Sequence, residues 1–538
     1  MAATPLPGSA EPGRIEKQFQ KIAPPKSTLE PIVPAAPSGR LAPAEAAKIR
    51  FTLSSLQIEG STVYKDADFQ PLYQQYLGKE ISVAELYEIA DAITVKYRND
   101  GYILSRAIVP EQTIHAGIAH ITIVEGFVDK VRIEGARKDR SGLFSSYAQK
   151  ITASRPLNLA TLERYLLLAQ DLPGISVRTV FEPEKGVQGA STLVIYLGNK
   201  PIDAQASLDN RGTRTLGPLQ AAFSAAFNDI LGLYERTSVF VVGTPQNELR
   251  YYQFAHEETL DSEGTKAAVA FSYVRTQPGD ILAPLDVRGR DTSFSISLSH
   301  PFIRSRAQNL SLGMTFAYRN STTDQLGVRT AEDHIRKLSG TASYDFTDRW
   351  RGVSQFNAEL SRGLPIFNAS KDNNPLASRT NGTATFTKLS LYAERSQTLP
   401  KNFTLVGRAA GQWSANSLLA AEQFGVGGQT FGRAYDSSEI TGDSGVEGSI
   451  ELQYGPNFPV PILQSSQFFT YYDIGAVWSR LHPGAPSSQS AASIGLGYRL
   501  APLPYLSAQI EVDKPLTRSV ASMGDKDPRI FFSLTMSY

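Results

Sequence analysis

Residues Phe424–Tyr454 read FGVGGQTFGRAYDSSEITGDSGVEGSIELQY. Glycines at 425, 427, 428 and 432 are too dense for a helix or a regular strand, because each brings backbone freedom that an ordered element must lose. One arginine, Arg433, stands between small residues. The stretch then ends in strict alternation. Val446, Ile450, Leu452 and Tyr454 fall on one face, and Glu447, Ser449, Glu451 and Gln453 on the other. The dry core of a sandwich would not accept those carboxylates. A strand with lipid on one side and a watery lumen on the other would.

The same period runs through everything after Lys200. Leu219–Phe227, Thr292–Leu298 and Leu506–Val512 alternate apolar with small or polar residues, and Glu511 and Asp513 add to the polar face. The last strand places Ile530, Phe532, Leu534, Met536 and Tyr538 together. Sixteen strands are expected, starting near 202, 217, 232, 248, 265, 289, 306, 334, 351, 381, 403, 445, 467, 490, 504 and 529. Their lengths are near the ~9–11 residues that cross a bilayer at a tilt. Short connections such as Asp229–Gly232 should alternate with long ones such as Asn368–Asn381. An even count leaves both barrel ends on the periplasmic side, so what precedes the barrel is periplasmic too.

Upstream, one order occurs twice. Phe51–Glu59 reads as a strand, Asp66–Tyr76 and Val83–Arg98 as helices, and Tyr102–Val109 and Ile118–Val124 as strands. Ser82 is a natural N-cap for the second helix. About 75 residues later, Val128–Glu134 is a strand, Ser141–Ile151 and Leu159–Leu172 are helices, and Ile175–Phe181 and Thr192–Leu197 are strands. Each unit is a small α+β module. The fold class is mainly β: a 16-stranded transmembrane antiparallel barrel preceded by two such modules. The expected divisions are 1–22 (N-terminal segment), 23–49 (linker), 50–125 and 126–200 (modules) and 201–538 (barrel), with a long lumenal loop at about 416–444.

At the N-terminus, Gly13–Ile22 is a short amphipathic helix with Ile15, Phe19 and Ile22 on one face. Pro24, Pro25, Pro31, Pro34, Pro37 and Pro43 follow and favour an extended tether. Its ~25 residues, at up to ~3.1 Å each, could traverse a barrel. The opening MAATPLPGSAEPG lacks a signal-peptide pattern, which suits a mature exported form with an added Met.

Composition excludes several classes. Lys and Arg number 53 and Asp and Glu 52, so no basic excess marks a nucleic-acid binder. With 0 cysteines there is neither a disulfide frame nor a thiolate metal site. No apolar run approaches the ~18 residues of a transmembrane helix. Six scattered histidines form no H-E-x-x-H, GDSG at 442–445 is followed by Val446 rather than completing a nucleophile elbow, and there is no P-loop. No enzyme, metal or cofactor is expected.

At this point the chain resembles the outer-membrane transporters of two-partner secretion, the family of the haemolysin and filamentous-haemagglutinin exporters. YRNDGYILSRAIVPEQTIHAGIAHITIVEG (97–126) looks like that family's first POTRA domain, Asp171–Gly174 like its DLPG turn, and NRGTRTLGPLQ (210–220) like the start of its barrel. Gly432-Arg433-Ala434-Tyr435 matches its loop tetrad, usually Val-Arg-Gly-aromatic, at the arginine and the aromatic only. FFTYYDIGAVW (468–478) supplies Asp473 and Gly475 in the family's D-x-G position.

The resemblance implies an export pore working without ATP on a large β-helical exoprotein, whose N-terminal secretion domain the POTRA domains capture. It also implies a pairing of Arg433 with Asp473, a plug helix in the lumen, contact with outer-membrane lipids, and insertion by the barrel-assembly machinery. The POTRA strand after the helices lies at a sheet edge, where an extended peptide can add. This points to Tyr102, Ile103, Leu104, Ser105 and Arg106, and to Ile175, Val177 and Val180, as partner-binding. An insertase for other barrels is the alternative, and it would be expected to have more modules and a weak seam between first and last strands.

Overall fold

Alternation from Ile202 onward closes into one antiparallel barrel, because lipid leaves backbone N–H and C=O groups no partner except the next strand. The computed structural model describes residues 6–20, 22–28, 43–135, 139–184, 186–480 and 487–538. Most of the expected linker, including Pro31, Pro34 and Pro37, lies outside the described residues. Two units separate: residues 1–29 with 200–538, and residues 30–199.

The first four barrel strands are β1 (Ile202–Asp209), β2 (Gln220–Asn228), β3 (Arg236–Gly243) and β4 (Leu249–Thr259). Next come β5 (Lys266–Thr276), β6 (Arg288–Arg304), β7 (Gln308–Gln325) and β8 (Val328–Thr347). Beyond them lie β9 (Gly352–Gly363), β10 (Thr387–Thr398), β11 (Phe403–Ser414) and β12 (Ser444–Tyr454). The last are β13 (Gln467–Trp478), β14 (Ser488–Leu503), β15 (Leu506–Pro515) and β16 (Arg529–Ser537). Each pairs with its neighbours, and β16 returns to β1. That seam has paired residues only from Ser533–Asp209 to Ser537–Gln205. It is nevertheless sealed beyond both ends, by Tyr538 N–H donating to Ala204 O at 2.8 Å and Asn210 N–H to Phe532 O at 3.3 Å.

Observed starts lie within four residues of those expected, except at two strands. β8 begins at Val328 rather than 334, and β10 at Thr387 rather than 381. The β7–β8 hairpin continues above the apolar belt, where its outward residues are Asp324, Arg329 and Glu332 and hydropathy alternation ends. Two connections break the expected alternation of lengths. The outer turn of that hairpin is only Leu326–Gly327, and the periplasmic turn between β12 and β13 spans 455–466.

In the other unit, Ser55–Glu59, Ile118–Val124 and Arg106–Ile108 form one three-stranded sheet in that order. Helices Asp66–Tyr73 and Val83–Asn99 cover it around a core that includes Phe69, Leu86, Ile93, Tyr97 and Ile121. The second sheet has the order Phe127–Glu134, Ala190–Asn199, Ile175–Pro183, with helices Leu143–Thr152 and Leu159–Gln170.

Three expectations are corrected here. Phe51–Glu59 is two strands: Arg50–Thr52 pairs with Glu80–Ser82, and Leu53 turns into the core before Ser55. The helix expected from Ser141 begins at Leu143, where Asp139 accepts from Phe144 N–H at 3.0 Å and Ser145 N–H at 3.2 Å. Tyr102, Ile103, Leu104 and Ser105 are a turn, not an edge strand. Tyr102 packs edge-on to Tyr97 and Tyr64, Ser105 N–H donates back to Tyr102 O at 3.1 Å, and Ile103 and Ser105 are buried. Of the residues expected there, only Arg106 belongs to the edge strand.

The 17-residue helix Val83–Asn99 starts on a capping box. Glu85 accepts from Ser82 N–H at 2.6 Å and from Ser82 Oγ at 2.9 Å, and these bonds hold its carboxyl below the ordinary 4.5. Ser82→Ala should cost about 1 kcal/mol, read as roughly fivefold lower hydrogen-exchange protection across 83–99 in the full chain. Because the folded value is depressed, the cap's contribution is complete above pH 4.5 and fades as pH falls through the Glu85 value. Protection that is unchanged in the variant and flat with pH would refute the assignment.

Candidate functional site in the barrel lumen

The loop between β11 and β12 does not stand outside the barrel; it folds back into it as a hairpin. Phe424–Val426 pairs with Ile440–Gly442, so part of the glycine-rich stretch is a short strand after all. The tip from 427 to 439 carries the tetrad. Gly427 sits at φ +112, and a Cβ there would lie 2.1 Å from Asp436 O, so this position needs glycine. Gly432 is at φ +61 with Gly427 packed against it. Gly475 on β13 opens the wall for the hairpin stem: a Cβ there would meet Val426 methyls at 2.7 and 2.8 Å.

Arg433 is 3% exposed and Asp473 fully buried. Arg433 donates from Nε to Asp473 Oδ2 at 3.1 Å and from Nη2 to Asp473 Oδ1 at 3.0 Å, a bidentate fork. Its backbone N–H also donates to Asp473 Oδ2 at 3.0 Å, so the carboxylate fixes the backbone as well as the side chain. Nη1 contacts Glu451 on β12, Nη2 donates to Ser449 Oγ at 3.1 Å, and the guanidinium lies 3.3 Å over the Tyr471 ring. The β13 face carrying Phe469, Tyr471, Asp473 and Gly475 therefore faces the lumen.

Residues that sequence reasoning did not assign to the site complete it. Arg211, in the loop after β1, donates to Arg433 O at 2.6 Å, pairs with Glu511, and reaches Asp513 at 3.1 Å. Arg499 on β14 bonds Glu451 Oε1 at 2.8 Å. Arg529 on β16 donates to Ala434 O at 3.0 Å and Asp436 Oδ1 at 2.9 Å. Tyr435 donates from its hydroxyl to Ala492 O at 3.1 Å. Glu451, Glu511 and Asp513 were legible as inward charges, but their arginines lie far off in sequence on strands and loops with no local signal. At the loop's root, Asp443 accepts from Arg379 at 2.5 Å, Leu418 N–H at 2.8 Å and Arg480 N–H at 2.7 Å.

The N-terminal segment fills more of the lumen. It is helical only over Ile15–Phe19, after a 3₁₀ turn at Pro12–Arg14. Ile15 is fully buried, and Phe19 stacks on Tyr251 at 5.5 Å. Ile22 is off the helix and 46% exposed, because the chain turns extended at Gln20 ahead of Pro24 and Pro25. Arg14 donates to the carbonyls of Ala420 and Gln423 and to Ser438 Oγ, all at 2.9 Å, clasping both limbs of the lumenal loop. Glu16 pairs with Arg319 on β7. Beyond the helix, the chain runs down the wall, where Gln355 donates to Ala23 O at 2.9 Å, Ser27 N–H to Asp345 at 2.8 Å and Thr28 N–H to Arg306 O at 2.7 Å. A cavity of about 1220 Å³ remains between plug, loop and wall.

A sixteen-stranded barrel, with its lumen filled by its own loop and N-terminus and preceded by two POTRA-like sheets, is an outer-membrane protein transporter. Residues 189–500 match the family described as haemolysin secretion/activation protein ShlB/FhaC/HecB, and residues 51–126 match the ShlB-type POTRA domain. The chain belongs to this family and exports exoproteins by two-partner secretion. The heme/hemopexin transporter protein HuxB of Haemophilus influenzae is 24% identical over 489 residues, covering 88% of this chain and 85% of its own. Outer membrane transporter CdiB of Escherichia coli O6:K15:H31 is 25% identical over 459 residues, covering 83% and 76%. The solved structure of CdiB from Escherichia coli shares the fold, with a TM-score of 0.72 at 21% identity over 96% of this chain and 94% of that one.

Gly475→Val should displace the hairpin from β13, since its Cγ methyls extend beyond a Cβ already in contact. Limited proteolysis of the folded, heat-modifiable barrel is the measurement. Cleavage within 427–439 should appear in the variant and be absent from the parent; an identical digest would overturn this reading of the stem.

Proposed function

We propose that this transporter carries one large β-helical exoprotein, captured in the periplasm by an exposed POTRA strand edge. Arg433 and Asp473 hold the lumenal loop in its working conformation, and the N-terminal helix plugs the pore between substrates. The observation that carries this reading is the clasp: one guanidinium ties the loop tip to the wall, while a second, from Arg14, ties the plug to that loop. The loop is therefore shared between wall and plug. The exoprotein's folding outside supplies the drive, since the sequence holds no P-loop. The division of the periplasmic part into 50–125 and 126–200 belongs to the same proposal.

For capture, Ile175–Pro183 is the better surface. It is a nine-residue strand at the open edge of its sheet, whereas Arg106–Ile108 offers three residues. Ile175, Val177 and Val180 lie on it, and Val180 is 44% exposed. An added strand would take its main-chain hydrogen bonds from this edge.

Arg433→Ala leaves Asp473 buried without its cation, while Glu451 keeps Arg499, a loss of about 3–5 kcal/mol. Secretion of the partner should fall at least about tenfold while the barrel still inserts and remains heat-modifiable. Secretion at the parental rate from a normally inserted barrel would refute the role of the pair. Val177→Pro should weaken partner binding to the full-length protein by about tenfold or more and spare the barrel, because the alternation of the ladder turns the Val177 N–H to the open edge and proline removes that donor. Unchanged binding would place capture elsewhere. Arg14→Ala should raise single-channel conductance in planar bilayers, and a closed trace like that of the parent would exclude the clasp as the plug's tether.

A further inference from the structure

The outer face of β4, β5 and β6 is layered with unusual regularity. Phe254, Phe271 and Phe294 stand directly opposite one another across the three strands. One step toward the extracellular rim, Tyr252, Tyr273 and Thr292 form the next row. One step further, Arg250, Arg275 and Arg290 form a third. All nine side chains point away from the lumen, since the intervening Tyr251, Val274 and Asp291 are buried inside.

Like charges directly opposite on neighbouring strands repel. The register here stacks three guanidinium groups at one height, about 4.8 Å apart per strand. Arg250 donates to Asn247 Oδ1 at 3.1 Å, and among the described residues neither Arg275 nor Arg290 has a carboxylate partner. Nearby, Asp286 pairs with Arg288, Asp324 with Arg329, and Glu332 with Arg329 and His334, while the Glu248 carboxylate packs against Gly217 and Gly279 and accepts from Thr244 Oγ1 at 3.4 Å. Such a row needs an anion from outside the chain. Phenyl rings, then phenols and a hydroxyl, then guanidinium groups reproduce the order of acyl chain, interface and headgroup in a leaflet. The arginine row lies about 6–7 Å above the tyrosine row, two residues of strand rise.

We propose that Arg250, Arg275 and Arg290 form a binding site for the phosphates of an outer-leaflet phosphorylated glycolipid of the lipid A type. The planar forks of adjacent arginines take phosphate oxygens bidentately, and the tyrosine row seats the sugar edge. The acyl chains lie along Phe254, Phe271 and Phe294. The site also fixes the height of this wall, which adjoins the plug: Phe19 packs on the lumenal side of the same strand through Tyr251.

The test is native mass spectrometry of the detergent-purified full chain, titrated with bisphosphorylated lipid A, its dephosphorylated counterpart and inorganic phosphate. The exposed triple substitution Arg250→Gln, Arg275→Gln, Arg290→Gln should weaken lipid A retention by roughly fivefold per arginine, about a hundredfold in all. The triple lysine variant should retain most of it. Dephosphorylated lipid should bind parent and variant alike and weakly, and inorganic phosphate should not displace lipid A. Equal retention by the glutamine variant, equal affinity for dephosphorylated lipid, or displacement by free phosphate would each overturn the site. So would a glutamine variant that loses exoprotein secretion with lipid retention intact, since the row would then serve the protein cargo. If the triple glutamine barrel is not heat-modifiable, Arg275→Gln alone, with an expected loss of about fivefold, decides.

Discussion

A guanidinium buried between two carboxylates sets the terms for the rest of this molecule. Sixteen strands enclose more space than inward side chains can fill. The chain closes that space with its own loop, and a loop buried in a lumen needs partners for every polar group it brings. Arg433 answers with Asp473 and Glu451, and Arg211, Arg499 and Arg529 extend the answer to β14, β15 and β16. Removing any one member strands a buried charge, so the loop's position is cooperative. The small residues follow from this. Gly475 and Gly427 admit the hairpin because a Cβ at either would strike it.

The outer face obeys the opposite rule. There the apolar row meets lipid, and the backbone hydrogen bonds run to the next strand. The β1–β16 seam is short in paired residues, the feature expected of an insertase. Flanking bonds at Ala204–Tyr538 and Asn210–Phe532, with Asn210 Nδ2 donating to Ile530 O at 2.9 Å, keep it shut on both sides. A sealed seam directs traffic through the lumen rather than sideways into the membrane, in keeping with the family's export function.

Much of this was legible because one period governs so much of the chain. Strand count, register side and the lumenal placement of Asp473, Glu451 and Glu511 follow from alternation alone. The Arg433–Asp473 contact came from resemblance, since no local pattern joins residues forty apart. Legibility failed where tertiary contacts override pattern. Tyr102–Val109 is rich in strand-forming residues, yet an aromatic cluster with Tyr64 and Tyr97 bends its first half into a turn. Ile22 has helical spacing with Ile15 and Phe19, but the following prolines end the helix before it. Arginines such as Arg211 and Arg529 carry no signal because only barrel closure brings β1 and β16 together.

The two segments in the lumen are held by different chemistry. Arg14 bonds neutral acceptors, two carbonyls and a hydroxyl, so its departure strands no ion on the loop. Arg433 bonds two carboxylates, and its departure would strand Asp473, since Arg499 still reaches Glu451. Glu16 is the plug's charged contact, on Arg319. Arg319 also lies 3.5 Å from Asp291, a buried carboxylate. The N-terminal segment thus meets the loop through neutral acceptors and the wall through an arginine shared with Asp291, whereas the loop tip is fastened to β12 and β13 by carboxylates.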